Sequence, residues 1–410
     1  MSHLLQIAII GGGPAGLMAA DTLAPHAEVD LYEHGKHIGR KFLVAGQGGF
    51  NLTNKAEGED LLGTYSPRGF LDQAIAEFGP MQLRSWLKEL DIDTYVGTSG
   101  RVFPVKGIKP IDVLARIREH VIQRGVRIHV EHVFTGFDET QKPILENHSG
   151  PFTLEADRVI FALGGASWPV TGSTGIWPSL FNAIGIETDP FEASNCGVAI
   201  AWPEQIAKAH AGKPLKNIRV SAGDHSALAE ATITAHGLEG NAIYPVVPAL
   251  RDALKVHGHA TLHIDLKPAN TIEELIRRIG DREPRNFAET VHLGRPELAL
   301  IKAFTPKERS MSATAFCEDL KDLRLPVIAL RPIGEAISTV GGIRCEDLSP
   351  DFSLKQHPHL YTIGEMVDWD APTGGFLLHG CFAMGRYAAQ RILDDRGSST
   401  PNSARTVTLQ

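Results

Sequence analysis

The feature that most constrains this chain is its opening. Ile7-Ala8-Ile9-Ile10 is a short apolar run that passes at once into Gly11-Gly12-Gly13-Pro14-Ala15-Gly16. An unbroken apolar run of this length suits a parallel strand buried on both faces. Gly11 lets the chain turn sharply, Gly13 lets backbone approach a pyrophosphate, and Gly16 lets the following helix pack closely on the strand. The helix then presents free N–H groups and the positive end of its dipole to an anion. A second apolar-rich strand, Val29-Asp30-Leu31-Tyr32, ends at Glu33, 22 residues beyond Gly11, where a carboxylate accepts ribose hydroxyls. In a chain with 41 glycines the glycine spacing alone is a weak signal. The strand before it and the acid after it make the stretch a dinucleotide-binding turn.

At 410 residues the chain is too long for one ordinary core, so two or three domains are expected. The net charge of −8 weighs against a nucleic-acid surface. No run of 18 apolar residues predicts a membrane span. Met1 leads into the first strand without a basic, apolar leader, so a cytoplasmic location is expected. Cys196, Cys317, Cys345 and Cys381 lie far apart with no Cys-x-x-Cys pair, which suits reduced thiols and speaks against a structural zinc site. His257/His259 and His357/His359 have no acidic or cysteine partner at ligand spacing and read as solvated loop residues. No metal is expected.

After Glu33 comes a long glycine-rich segment, Gly39-Arg40-Lys41 through Gly49-Phe50-Asn51-Leu52-Thr53-Asn54. Long loops of this kind are usually functional, and two adjacent cations suit phosphate or an anionic ring, although a solvated charge pair reads equally simply. Helical periodicity over residues 71–90 and 111–124, and strands at 126–134 and 158–163, give the alternation of a doubly wound sheet. The second of these strands breaks at Gly164-Gly165, placing bare backbone at the sheet's carboxyl edge. From 191 to 335 the rhythm changes to short strands and then helices, an inserted domain without a chemical motif. The sheet is expected to return near Ala336–Ile343 and to end at His359–Ile363. Gly364-Glu365 and Asp368-Trp-Asp370-Ala-Pro-Thr-Gly374-Gly375-Phe376 follow, opening a last helix over 377–393. Asp368 and Asp370 read either as turn formers or as cofactor contacts. His379 and Cys381, alone on an apolar helix, read as packing residues. The Ser/Thr/Pro-rich tail, 396–410, reads as disordered.

At both ends, these motifs resemble the two-dinucleotide-binding-domain flavoproteins, and among them the HI0933-like group of FAD/NAD(P)-dependent oxidoreductases. Thr171-Gly-Ser-Thr-Gly175 and Val340-Gly-Gly-Ile343 add to the resemblance. Where that group commonly carries Arg-Cys before its Asn-x-Thr-Asn, this chain has Gly49-Phe50, similar to a divergent, uncharacterised subgroup, so no role passes to that Arg or Cys. The resemblance implies an α/β fold: a Rossmann-like FAD-binding domain with a mixed parallel sheet, formed by 1–190 and 336–395, carrying a β-rich and helical substrate or cap domain at 191–335.

It also implies roles. Gly11, Gly13, Pro14, Ala15 and Gly16 would hold the FAD pyrophosphate and Glu33 the adenosine ribose. Arg40, Lys41, Asn51 and Thr53 would line the flavin or its phosphates. Val133, late in its strand, would bracket the adenine through backbone contacts, and Gly164-Gly165 would pass the adenosine side. Gly364-Glu365 would approach the ribityl-pyrophosphate, with Asp370 nearby. Gly374, Gly375 and Phe376 would turn backbone N–H groups to the pyrimidine end of the ring, where negative charge builds on reduction.

The expected function is hydride transfer between NAD(P)H and an unknown small organic substrate through flavin N5. With no second Gly-x-Gly-x-x-Gly after a strand, NAD(P)H is expected as a transient co-substrate, arriving from the side of the insertion. Two alternatives are a flavin-binding protein in RNA modification or redox sensing, and an FAD oxidase or monooxygenase. No side chain stands out as a catalytic acid or base. Oligomeric state and substrate identity are not legible.

Overall fold

The computed structural model describes residues 4–44 and 50–398, and side-chain burial through residue 395. The chain divides into two compact units, one formed by Met1–Glu192 with Val340–Gln410 and the other by Ala193–Thr339.

The first unit is built on a six-stranded sheet in the order Ser353–Leu354, His357–Thr362, Arg158–Phe161, Leu5–Ile10, Ala27–Tyr32, Arg127–His129. Its strands run parallel except for the short edge strand Ser353–Leu354. The opening strand is central. Ile10 stands opposite Phe161 on one side and Tyr32 on the other, so the carboxyl ends of these strands are level. Ile7, Ala8, Ile9 and Ile10 are all buried, as a strand covered on both faces requires. The first helix, Pro14–Leu23, starts from an extended Gly13 with Pro14 at its first position, where proline's missing N–H costs nothing. The last helix, Phe376–Ser398, packs against it so closely that a Cβ on Gly385 would fall 2.2 Å from the Ala15 carbonyl oxygen.

Several local expectations are corrected. The periodic stretch 71–90 is two helices, Asp72–Glu77 and Pro80–Glu89, parted where Pro80 cannot donate a helical N–H. The single strand expected over 126–134 is also two pieces. Arg127–His129 joins the main sheet, whereas Val133–Phe137 belongs to an antiparallel three-stranded sheet with Pro143–Asn147 and Gly150–Thr153. Ser338–Ile343 is a strand, but it lies outside the main sheet. His357 is buried in the strand His357–Thr362, with Nε2 3.4 Å from the Ile184 carbonyl oxygen, and is not a solvated loop residue. The last helix continues to Ser398, past the expected start of the tail, and residues 399–410 lie outside the described ones.

The second unit is a closed six-stranded barrel, Val198–Ile200, Gly237–Glu239, His225–Ile233, Pro214–Ala222, Ala260–Asp265 and Leu323–Leu330 in spatial order, with helices packed around a second apolar core. The strand Leu323–Leu330 closes it, pairing with both Ala260–Asp265 and Val198–Ile200. Among the described residues no helix is long and apolar enough to cross a membrane.

Candidate cofactor-binding site

The carboxyl ends of four parallel strands in the first unit form the floor of a cleft, at Ile10, Tyr32, Ala162 and Ile363. The cleft encloses about 870 Å³ of space, open solvent included. Ligands in open α/β sheets bind at this edge.

The glycine turn shapes one wall. Gly11 has φ +114°, and a Cβ there would sit 2.2 Å from the Ala162 carbonyl oxygen. Only glycine fits both constraints. Gly13 is the opposite case: nothing lies within 4 Å of where its Cβ would be, so its backbone faces open space at the head of the first helix. Gly16 faces away from the cleft, and its Cβ would meet the Gly11 carbonyl oxygen at 2.1 Å, which is the close helix–strand packing expected of it. Pro14 and Ala15 line the cleft beside Gly13.

Glu33 is buried at the end of the second strand and lines the cleft. Its carboxylate accepts the Gly12 N–H at 3.0 Å and the Gly35 N–H at 2.9 Å, and pairs with His34 Nδ1 at 2.8 Å. Burial opposes its ionisation, but these partners outweigh burial and hold the carboxyl below its usual range. His34 is raised in turn, chiefly by its hydrogen bond to Glu33. Its ring rests against Gly172, where a Cβ would fall 2.3 Å from Nε2.

Val133 is 46% exposed and does not line the cleft, because it starts a strand of the antiparallel sheet. Its neighbours His132 and Phe134 line it instead, His132 beside Tyr32, whose ring stacks on His129 at 4.7 Å. Gly164 is on the cleft wall, while Gly165 lies behind it, its carbonyl accepting the Ser173 hydroxyl at 2.8 Å. Sequence reasoning overlooked Tyr32, His34, His132, Phe134 and Gly172. The rule of strand carboxyl ends would have found Tyr32, and Gly172 lies in the Thr171–Gly175 motif, whereas His34 and His132 sit on loops with no motif and Phe134 lies in a strand of another sheet.

At the far end Lys41 Nζ lies 2.6 Å from Glu365 Oε2, and both line the cleft with Gly364 and Cys381. Arg40 sits on the rim, donating to the Val170 carbonyl at 2.9 Å. The Cys381 thiol is pushed up to about 12, first by burial and then by the Glu365 charge, so it stays protonated at neutral pH and is no nucleophile.

Asn51, Thr53, Asp370, Gly374, Gly375 and Phe376 do not line this cleft. Most of them form a cluster of their own. Gly375 lies on the Thr53 backbone, with a Cβ position 2.5 Å from the Thr53 carbonyl oxygen, and Asn54 Nδ2 donates to the Gly374 carbonyl at 3.2 Å. Asp370 exchanges backbone hydrogen bonds with Ser66, and its carboxylate accepts the Ala371 N–H at 2.9 Å, which is turn chemistry. The Gly49 half of the Gly49-Phe50 departure lies outside the described residues.

One cleft is thus lined by the bare backbone at a helix head, an acid, aromatic rings and an ion pair, groups whose chemistry suits a dinucleotide. A family model described as the HI0933-like protein Rossmann domain matches residues 5–391. The chain belongs to the HI0933-like family. It is therefore a member of the flavoprotein oxidoreductases with a Rossmann fold that the sequence resembles. Among curated relatives, this HI0933-like chain is 25% identical to a 3-dehydro-bile acid delta(4,6)-reductase of Clostridium scindens, over 95% of this chain and 99% of that protein. It is 24% identical to a ribosomal RNA dihydrouridine synthase of Haemophilus influenzae, over 92% of this chain and 95% of that protein. A solved 3-ketosteroid delta1-dehydrogenase from Sterolibacterium denitrificans shares the fold, with a TM-score of 0.50 at 12% identity over 95% of this chain and 99% of that one.

Proposed function

We propose that this chain binds FAD non-covalently in the cleft and reduces an unsaturated organic substrate with NAD(P)H as the electron donor. One observation carries the reading: a single cleft joins Gly11–Ala15 and Glu33 near the start of the chain to Gly364-Glu365 near its end. A mononucleotide would need only one of these walls. Bound there, the flavin would supply the hydride chemistry, accepting and donating at N5.

The chain's own residues bind and orient. Gly11, Gly13, Pro14 and Ala15 hold the pyrophosphate against the head of the first helix, with Gly16 supporting the turn from behind. Glu33 offers its carboxylate to the adenosine ribose, and Tyr32, His132 and Phe134 wall the adenine. Lys41 and Glu365 flank the ribityl-pyrophosphate, with Arg40 and Gly164 on the rim. Where the ring extends past this cleft, Gly374, Gly375 and Phe376 at the start of the last helix would turn backbone N–H groups to its pyrimidine end, with Asn51 and Thr53 alongside. A cytoplasmic setting suits four cysteines that form no disulfide.

The names of both relatives describe addition of hydrogen to an unsaturated ring. That shared chemistry supports reduction over oxygen-dependent oxidation. Two relatives named for ribosomal RNA also support testing an RNA substrate. Charge favours the small molecule. The 193–339 unit carries 18 Lys and Arg against 17 Asp and Glu, and the rest of the chain holds the whole negative excess, so neither unit is strongly basic overall.

The test is the absorbance spectrum of the purified protein, followed by anaerobic mixing with NADH and NADPH. A flavin spectrum that bleaches rapidly with either nucleotide is expected. A colourless protein that takes up no FAD and binds NAD tightly would overturn the proposal, and a flavin that bleaches with neither would overturn its NAD(P)H arm.

A further inference from the structure

Outside the cleft, one buried side chain ties the 51–54 segment to the start of the last helix. His379 has no exposed surface. Its Nε2 lies 2.8 Å from the Phe78 carbonyl oxygen and its Nδ1 3.0 Å from the Thr53 hydroxyl. A carbonyl only accepts, so Nε2 carries the hydrogen and Nδ1 must accept. The Thr53 hydroxyl therefore donates to the ring, its other acceptor, the Asn54 carbonyl, being farther away at 3.5 Å. Burial pushes the His379 pKa down to about 4, so the ring is neutral at working pH and this tautomer persists.

What the bond holds is specific. Thr53 is the residue whose backbone Gly375 lies upon, and Gly375 at φ +96° tolerates that approach only without a side chain. The next residue, Asn54, holds the Gly374 carbonyl. His379 also begins the helical ladder, its N–H donating to the Gly375 carbonyl at 3.0 Å. One residue thus fixes Gly375 from both sides, through Thr53 and through the first helical turn.

We propose that His379, acting through Thr53, is a positioning residue that aims the Gly374–Phe376 N–H groups and thereby sets how strongly the site favours reduced over oxidised flavin. The inference rests on the FAD reading. N–H donors aimed at a developing negative charge help only if their geometry is set beforehand. Without the Thr53–His379 bond the segment loses its register against the helix start, and the reduced, more negative ring loses more than the oxidised one.

The experiment compares wild-type holoprotein with Thr53→Val, His379→Leu and His379→Gln, measuring FAD affinity and midpoint potential against a reference dye. Thr53→Val keeps the shape and removes the hydroxyl. It and His379→Leu are expected to lower the ratio of reduced to oxidised flavin affinity roughly tenfold, the scale of one hydrogen bond, which is about 30 mV more negative for a two-electron couple. His379→Gln can accept from Thr53 and donate to the Phe78 carbonyl, and is expected to stay near wild type. If His379→Leu does not fold, Thr53→Val decides. A Thr53→Val potential equal to wild type in a protein that binds FAD would overturn the positioning role. A wild-type protein that takes up no FAD would instead overturn the reading beneath it.

Discussion

Lys41 and Glu365, 324 positions apart, meet at 2.6 Å on the wall of the cleft. The pair joins the segment after the second strand to the turn before the last helix, so the two ends of the chain share one wall.

Breaking that pair should separate stability from binding. Both side chains keep some solvent contact, 26% for Lys41 and 14% for Glu365, so screening limits their worth to folding to about 1 kcal/mol. Lys41→Met and Glu365→Gln should therefore unfold within a few degrees of wild type. FAD affinity, measured by flavin fluorescence, should fall about tenfold in each. In the double variant the losses should be less than additive, because the partners act as a unit. Strict additivity would mean that the two residues touch the cofactor independently.

The glycines of the first turn make opposite predictions although they are two residues apart. Gly13→Ala meets no protein atom and has an ordinary φ of −83°, so the apoprotein should lose only about 1 kcal/mol, the cost of alanine at a helix N-cap. FAD binding should nevertheless drop sharply, since the added methyl stands where the pyrophosphate would lie. Gly11→Ala clashes with the Ala162 carbonyl and strains φ, and should destabilise the apoprotein by roughly 3 kcal/mol. Denaturant unfolding of both apoproteins beside FAD titration separates the effects. Normal FAD binding by a well-folded Gly13→Ala protein would remove the pyrophosphate from this turn.

Much of the first unit was legible because its signals are local. The strand, glycine turn and helix from Ile7 to Ala20 follow from contiguous residues, as does Glu33 at the end of the next strand. The barrel was only half legible. Its closing strand, Leu323–Leu330, arrives after a run of helices and pairs with segments some sixty and a hundred and thirty residues earlier, and no local pattern encodes such a partner. The stretch 126–134 was misread as one strand for a related reason. Apolar residues recur from Val126 to Phe134 as in one strand, but Glu131 takes a left-handed φ of 58°, and the chain leaves one sheet for another there. His379 read as a packing residue because a lone histidine on an apolar helix usually is one. Only the structure shows that both ring nitrogens are engaged.

Acid should destabilise the protein through His379. Its folded pKa, about 4, lies below the ordinary 6.5, so between these values the unfolded chain binds more protons than the native one. Stability is whole above pH 6.5, declines as pH falls toward 4 and is flat below. The upper bound of this loss is about 3 kcal/mol. Urea unfolding of the apoprotein at pH 7 and pH 4.5 should show a larger drop for wild type than for His379→Gln, which cannot titrate. Equal drops would mean that the acid sensitivity lies elsewhere.

The adenosine end can be tested independently of the ring. His132 lines the cleft, and its Nδ1 hydrogen-bonds the Val130 carbonyl at 2.7 Å, so its orientation is set. If it walls the adenine with Tyr32 and Phe134, His132→Ala should weaken FAD about tenfold, the scale of one stacking contact. The same variant should leave the affinity for FMN, which has no adenine, within a factor of two. AMP should compete with FAD in wild type and much less in the variant. A loss shared equally by FAD and FMN would place the adenine elsewhere and mean that the cleft holds its cofactor in the opposite sense.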